Sequence, residues 1–367
     1  MYLVDQKLAK AAKVAMSTVI RAKKGEKVLI FTNMHADGQA ISSALFAAAQ
    51  EAGAAPVVVT QPVKGSLDFA EYSVLAAIRS GPEVIISISK QKLGKDLWAL
   101  KKPYLVKGKR IDSAFQYLIA AGKARSFWSP SVTVDMFCRT VPVDYNLMKR
   151  DCRAVAKVLD RAEGVRITTG KGMDLFIGLK GRKAKSDDGD FSKAGKGGNL
   201  PAGEVFISPA LGKSKGTIVF DGSISTDGDA IVIKRPIVAE VRNGFVTAIT
   251  GGPDAEKFAA AVQRGADRVA SFVKEGKLQA KDSGAYVKNA FNLGELGIGL
   301  NRAARIIGNV LEDEKVFRTC HIAIGSNYDN DAPALIHFDG IIKEPTIVAI
   351  LPGKKEKVLI DRGDLKV

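Results

Sequence analysis

The chain has 367 residues, 46% hydrophobic and 26% charged, ordinary proportions for a globular protein of roughly two domains. Its net charge of +16 is spread along the sequence, aromatic residues make up only 7%, and no nucleic-acid-binding module is recognisable, so a nucleic-acid partner is not expected. No apolar run approaches the ~20 residues of a membrane span, and three cysteines (Cys138, Cys152, Cys320) without a CxxC pair fit a reducing cytoplasm better than a disulfide framework.

Residues 1–28 place apolar side chains at helical spacing among scattered lysines, which reads as an amphipathic helix and not as a signal peptide. KVLIFTN (27–33), AISSALFAAAQEAG (40–53) and APVVVTQ (55–61) read strand, helix, strand, a parallel βαβ unit. A helix over 68–80 and a strand over 83–89 extend this into an open α/β domain, and a long helix over 144–164 follows. Beyond it the pattern changes to α+β with mostly antiparallel pairing. Short strands lie within 165–179 and 217–252, including DAIVIK (229–234), and Asn243-Gly244 between apolar runs signals a two-residue hairpin. Helices are expected over 254–275 and near 302–312. The chain closes on the strands HIAIG (321–325), ALIHFDGII (334–342), TIVAILP and KVLIDRG. The basic, glycine-rich stretch 180–198 reads as a loop. The expected fold class is therefore α/β plus α+β, with an N-terminal domain at 1–150 and a C-terminal metal-binding domain at 151–367.

Several familiar patterns fail. LGKSKG (211–216) has Ile207 where a P-loop needs its first Gly, and a strand follows it where a nucleophile elbow needs a helix, so it reads as a turn. His35, after the first strand, could line a pocket but reads more simply as a loop residue without a role. The C-terminal half is more coherent. In ALIHFDGII, His337 and Asp339 are two apart and so share one face of a strand. Either they are metal or proton ligands, or Asp339 orients a structural His. Glu204 and Glu295 lie in apolar or glycine-rich segments, where a carboxylate needs a cation or a donor. Glu312, Asp313 and Glu314 precede His321. Two histidines with three or four carboxylates make a ligand set for two divalent cations about 3.5–4 Å apart. Composition alone leaves a chance placement of so few histidines equally open.

The segments GNLPAGEVFISP, NLGELGIGLN, EDEKVFRTCHIAIGSNYDND and LIHFDGI resemble, in order and spacing, the motifs of the thermophilic-type metallo-aminopeptidases, the aminopeptidase T and S group. GEKVLIF and AAAQEAGAAPVVV look like that group's N-terminal α/β domain. The resemblance implies a cytoplasmic, homodimeric hydrolase that removes N-terminal residues from peptides, or cleaves a small amide, with two divalent ions (Zn, Co or Mn). The metal ligands it implies are Glu204, Glu295, His321, His337 and Asp339. Tyr328 matches the group's active-site tyrosine, and Glu314 resembles a further acid near the metals that would pass a proton to the leaving amine. One departure stands out: Gly203 occupies the first of two positions that are usually both Glu. The chain also resembles, in overall layout and in the final HxD, the iron-dependent 2,5-dihydroxypyridine ring-opening dioxygenases. These use a single iron in a 2-His-1-carboxylate triad. They carry a His where this chain has Glu295, and no His where it has His321. Both residues here are the aminopeptidase-type choice, which ranks hydrolysis first. A hydrolase of small aromatic amines, or a non-catalytic relative that keeps the cavity, are further readings.

Overall fold

The computed structural model describes residues 5–65, 68–227 and 230–367. The first four residues of the expected N-terminal helix, and Asp229 of the expected strand DAIVIK, lie outside the described residues. By its internal contacts the chain divides into two compact units. The first runs to Tyr145 and takes back Gly189–Ala202; the second comprises Asn146–Asp188 and Gly203–Val367.

The first unit is built on a five-stranded sheet. Strands Lys27–Asn33, Ala55–Gln61, Val84–Ile88 and Arg125–Trp128 run parallel, as the alternation of apolar runs with helices requires. The core packs Leu29, Phe31 and Ile85 of the strands against Val74 and Ile78 of the helix Tyr72–Arg79 and Leu118 of the helix Ala114–Ala120. His35 has a structural task here. It caps the helix Ala36–Glu51, its Nδ1 accepting from the Gly38 N–H at 3.2 Å. The stretch 180–198 is not all loop. Gly197–Asn199 adds a fifth parallel strand beside Ser126–Trp128.

The second unit holds two antiparallel sheets among the described residues, one of seven strands and one of eight. The eight-stranded sheet contains the hairpin at Asn243-Gly244, where both residues have positive φ (50° and 78°), the geometry of a type I′ turn. The seven-stranded sheet carries the chemistry. Its central order is Glu204–Ile207, Leu293–Gly299, Thr319–Gly325, His337–Lys343, with Lys185–Asp187, also from the supposed loop, at the edge beyond Glu204–Ile207.

One expected element is absent. Residues 302–309 are not helical, and only Val310–Asp313 forms a short helix. Carboxylates later in the segment take over the backbone donors a helix would have used. Glu312 Oε1 accepts from the Arg305 N–H, while the two oxygens of Asp313 accept from the Ile307 and Gly308 N–H groups. Gly308, at φ +80°, turns the chain between them. Two of the three acids in EDE are therefore structural, Asp313 also accepting from the Ser223 hydroxyl at 2.6 Å.

Candidate metal centre

Antiparallel register puts the site residues on one face of the seven-stranded sheet. Ala323 lies opposite both Glu295 and Asp339, His321 opposite Gly297 and Ile341, Gly325 opposite His337, and Glu204 opposite Gly299. Small residues thus alternate with ligand-type residues. The glycines make room: a Cβ on Gly297 would lie 1.9 Å from His321 Nε2, so the imidazole occupies space that only a bare backbone leaves open. An irregularity in the pairing between Leu293 and Glu295 re-aims the strand where Glu295 leaves it.

Five of the residues singled out in the sequence converge. His321 Nε2 is 3.1 Å from Glu295 Oε1 and 3.6 Å from Glu204 Oε2. His337 Nε2 is 3.4 Å from both Glu295 Oε2 and Asp339 Oδ1. Glu204, Glu295, His321 and Asp339 are all buried. Three triads place one donor atom each within 4.8 Å of one another: Glu204, Glu295, His321; Glu295, His337, Asp339; and Glu314, His321, Asp339.

The donor chemistry asks for a cation. His337 Nδ1 lies 2.8 Å from the Ser326 carbonyl, which can only accept, so Nδ1 carries the proton. In the neutral ring Nε2 is then a lone pair facing two carboxylate oxygens. Glu204 Oε2, Glu295 Oε2 and Asp339 Oδ1 are buried without a hydrogen-bond partner. Such an arrangement is stable only if a proton or a metal ion fills the gap. The electrostatics agree. Burial would depress the His321 imidazolium, but its bond to Glu295 and the carboxylates around it lift its pKa to about 9. Burial would raise Asp339, but the electrostatic pull of His337 beside it holds it at about 2. The residues therefore fit a divalent ion, and the Ser326 carbonyl supplies the outer partner that fixes the His337 ring.

Tyr328 stands at the edge of this cluster, 52% exposed, its ring 5.2 Å from that of His337 and 5.1 Å from that of Phe206. Glu314 reaches the cluster from the end of the short helix, and burial lifts its carboxyl to about 8 against the pull of Lys315. Lys315 is the residue that sequence reasoning passed over. It is fully buried, with Nζ 2.6 Å from Glu204 Oε1 and 2.5 Å from Glu314 Oε1. In EDEK it looks like one more surface charge; the only hint was its place just before a buried strand. The glycine at the first of the two usual Glu positions is also explained. Gly203 has φ +120°, and a Cβ there would lie 2.9 Å from Asn301 Cβ and Met148 Cε.

Comparison with known proteins adds the family. No curated protein matches the sequence. Among the solved structures that match, two do so over nearly the whole chain. The 2,5-dihydroxypyridine dioxygenase from Pseudomonas putida KT2440 has a TM-score of 0.69 at 16% identity, over 98% of this chain and 97% of that one. Wild-type AmpT from Thermus thermophilus has a TM-score of 0.64 at 18% identity, over 99% of each chain. At these identities the likeness speaks for a shared fold, mixed α/β with several sheets, and the aminopeptidase resemblance is supported at that level. Among the described residues no helix is long and apolar enough to cross a membrane. A family model decides the affiliation, and it favours the group that the sequence motifs ranked second. Residues 9–319 match the model described as NicX, 2,5-dihydroxypyridine 5,6-dioxygenase, so the chain belongs to the NicX family.

Proposed function

We propose that the protein is a metal-dependent enzyme that opens the ring of a hydroxylated pyridine-type substrate with O₂, the chemistry named in its family's description. The observation that carries this reading is the cluster around His337, where one lone pair and two carboxylate oxygens from Glu295 and Asp339 enclose a gap for one ion. A divalent iron bound there would supply open coordination positions for substrate oxygens and O₂. The chain's own residues do the rest. Ser326 orients His337 through its carbonyl. Tyr328 and Phe206 present an aromatic wall beside the cluster, suited to a flat substrate. Glu314 and Lys315, 2.5 Å apart at the edge of the cluster, form a pair through which a proton can be passed to a substrate oxygen.

One observation favours hydrolysis as a second reading. Glu295 belongs to two of the three triads and can bridge two ions, and a carboxylate-rich set suits harder cations than iron alone. Under that reading two ions (Zn, Co or Mn) activate water against a peptide or small amide. Tyr328 would then donate to the oxyanion and Glu314 would protonate the leaving amine.

Product analysis under argon and under air separates the two, with Fe(II), Mn(II), Co(II) and Zn(II) supplied in turn. Ring-opened product from a dihydroxylated pyridine, dependent on Fe(II) and O₂, is the expected result. Anaerobic cleavage of an aminoacyl amide or aromatic amine would replace the oxygenase reading with the hydrolytic one.

A further inference from the structure

Lys315 has no solvent exposure, and its ammonium is wedged between Glu204 Oε1 (2.6 Å) and Glu314 Oε1 (2.5 Å), with Asp187 Oδ2 at 4.0 Å. A buried lysine normally sheds its proton, because burial disfavours the charged form. Here two carboxylate oxygens within hydrogen-bond distance pair the side chain as an ion. The three triads differ in this respect. Glu204 belongs to one and Glu314 to another, and each has an oxygen committed to Lys315. The triad of Glu295, His337 and Asp339 has no such commitment.

We propose that Lys315 is a resident cation standing where a second metal ion would otherwise bind, so that the centre takes one ion, on Glu295, His337 and Asp339. The inference rests on the reading of this cluster as a metal centre. Its physical basis is charge and space. A divalent ion on Glu204 would share that carboxylate with a buried ammonium, and the two like charges would face each other with no water between them. A lysine in that place is permanent, needs no loading, and leaves Glu204 a counterion and not a ligand. The cluster of five sequence-derived ligand candidates then splits. His321 and Glu204 belong to the support around Glu295, and the substrate-facing ion sits beside Tyr328.

The test is the stoichiometry of metal binding to the full chain, stripped with chelator and titrated calorimetrically with Mn(II), then desalted for elemental analysis. The wild type should saturate near one equivalent. Lys315→Met, which removes the charge and keeps the bulk, should bind a second equivalent. Glu204→Gln should still bind one equivalent, with affinity changed less than about threefold. Wild-type binding of two equivalents would overturn the proposal and leave the metal centre standing, whereas no binding at all would remove both. A folded Lys315→Met variant limited to one equivalent would also overturn it. If that variant does not fold, Glu204→Gln decides: loss of the bound ion would make Glu204 a ligand and end the proposal.

Discussion

His337 Nε2 lies 3.4 Å from Asp339 Oδ1 on one face of one strand, while His337 Nδ1 donates to the Ser326 carbonyl 2.8 Å away. This pair is the fixed half of the proposed ion site, because the strand spacing aims both side chains and the carbonyl fixes the ring. Glu295 arrives from two strands away and closes the triad.

Asp339→Asn should abolish metal-induced stabilisation while leaving the metal-free protein folded. In the wild type, Mn(II) at 100 times its Kd should raise stability by about 2.7 kcal/mol, and chelator should reverse the gain. Thermal melts with and without metal measure both. An unchanged metal response in Asp339→Asn would place the ion elsewhere.

Tyr328→Phe should lower kcat by about 10²-fold with little change in metal content or melting temperature. The residue meets His337 through ring contact, so removing its hydroxyl leaves that packing in place, and the hydroxyl itself lies among the carboxylates of the cluster. A parallel fall in bound metal would make Tyr328 part of the ion's support.

Gly297→Ala should destabilise the chain by about 1–3 kcal/mol and weaken metal binding, because its methyl group would occupy the place of the His321 ring. Gly203→Glu, which adds the carboxylate found in the resembling aminopeptidases, should add no metal equivalent and lower the melting temperature. Its backbone has φ +120°, with Asn301 and Met148 against the new Cβ. Denaturant unfolding and metal titration of both variants check this.

Arg125 is buried in the first unit, donating to Glu26 at 2.6 and 3.0 Å and to the carbonyls of Ile20 and Arg21. Burial alone would raise the Glu26 carboxyl, but Arg125 holds it below its ordinary value. A carboxyl depressed in the folded state stabilises above its unfolded pKa, about 4.3, and loses that contribution as pH falls further. Glu26→Gln should therefore flatten the loss of stability below about pH 4.5. Arg125→Ala should cost about 3–5 kcal/mol at neutral pH, since it strands a partly buried charge. An acid-unfolding curve for Glu26→Gln that overlays the wild type would rule this out.

Features set by local period and turn chemistry were determined by the sequence alone. The parallel strands at 27–33 and 55–61 lie where the apolar runs stand, the Asn243-Gly244 hairpin closes as its residues require, and His337 and Asp339 share a face because strand side chains repeat every second residue. Family motifs also marked Glu204, Glu295 and His321, but only antiparallel register brought them to the same face. Tertiary structure decided the rest. RAARIIGNVL has helical composition, yet the carboxylates of Glu312 and Asp313 take its backbone donors and the helix does not form there. Glu312, Asp313, Glu314 and Lys315 look alike in sequence as a solvated charge run, but they separate into two loop staples, one acid at the cluster and one buried ammonium. That sorting depends on which side chain the fold encloses with which partner. The energies that decide it, desolvation against pairing, exist only once the strand bearing Glu204 and the turn bearing Lys315 have come together.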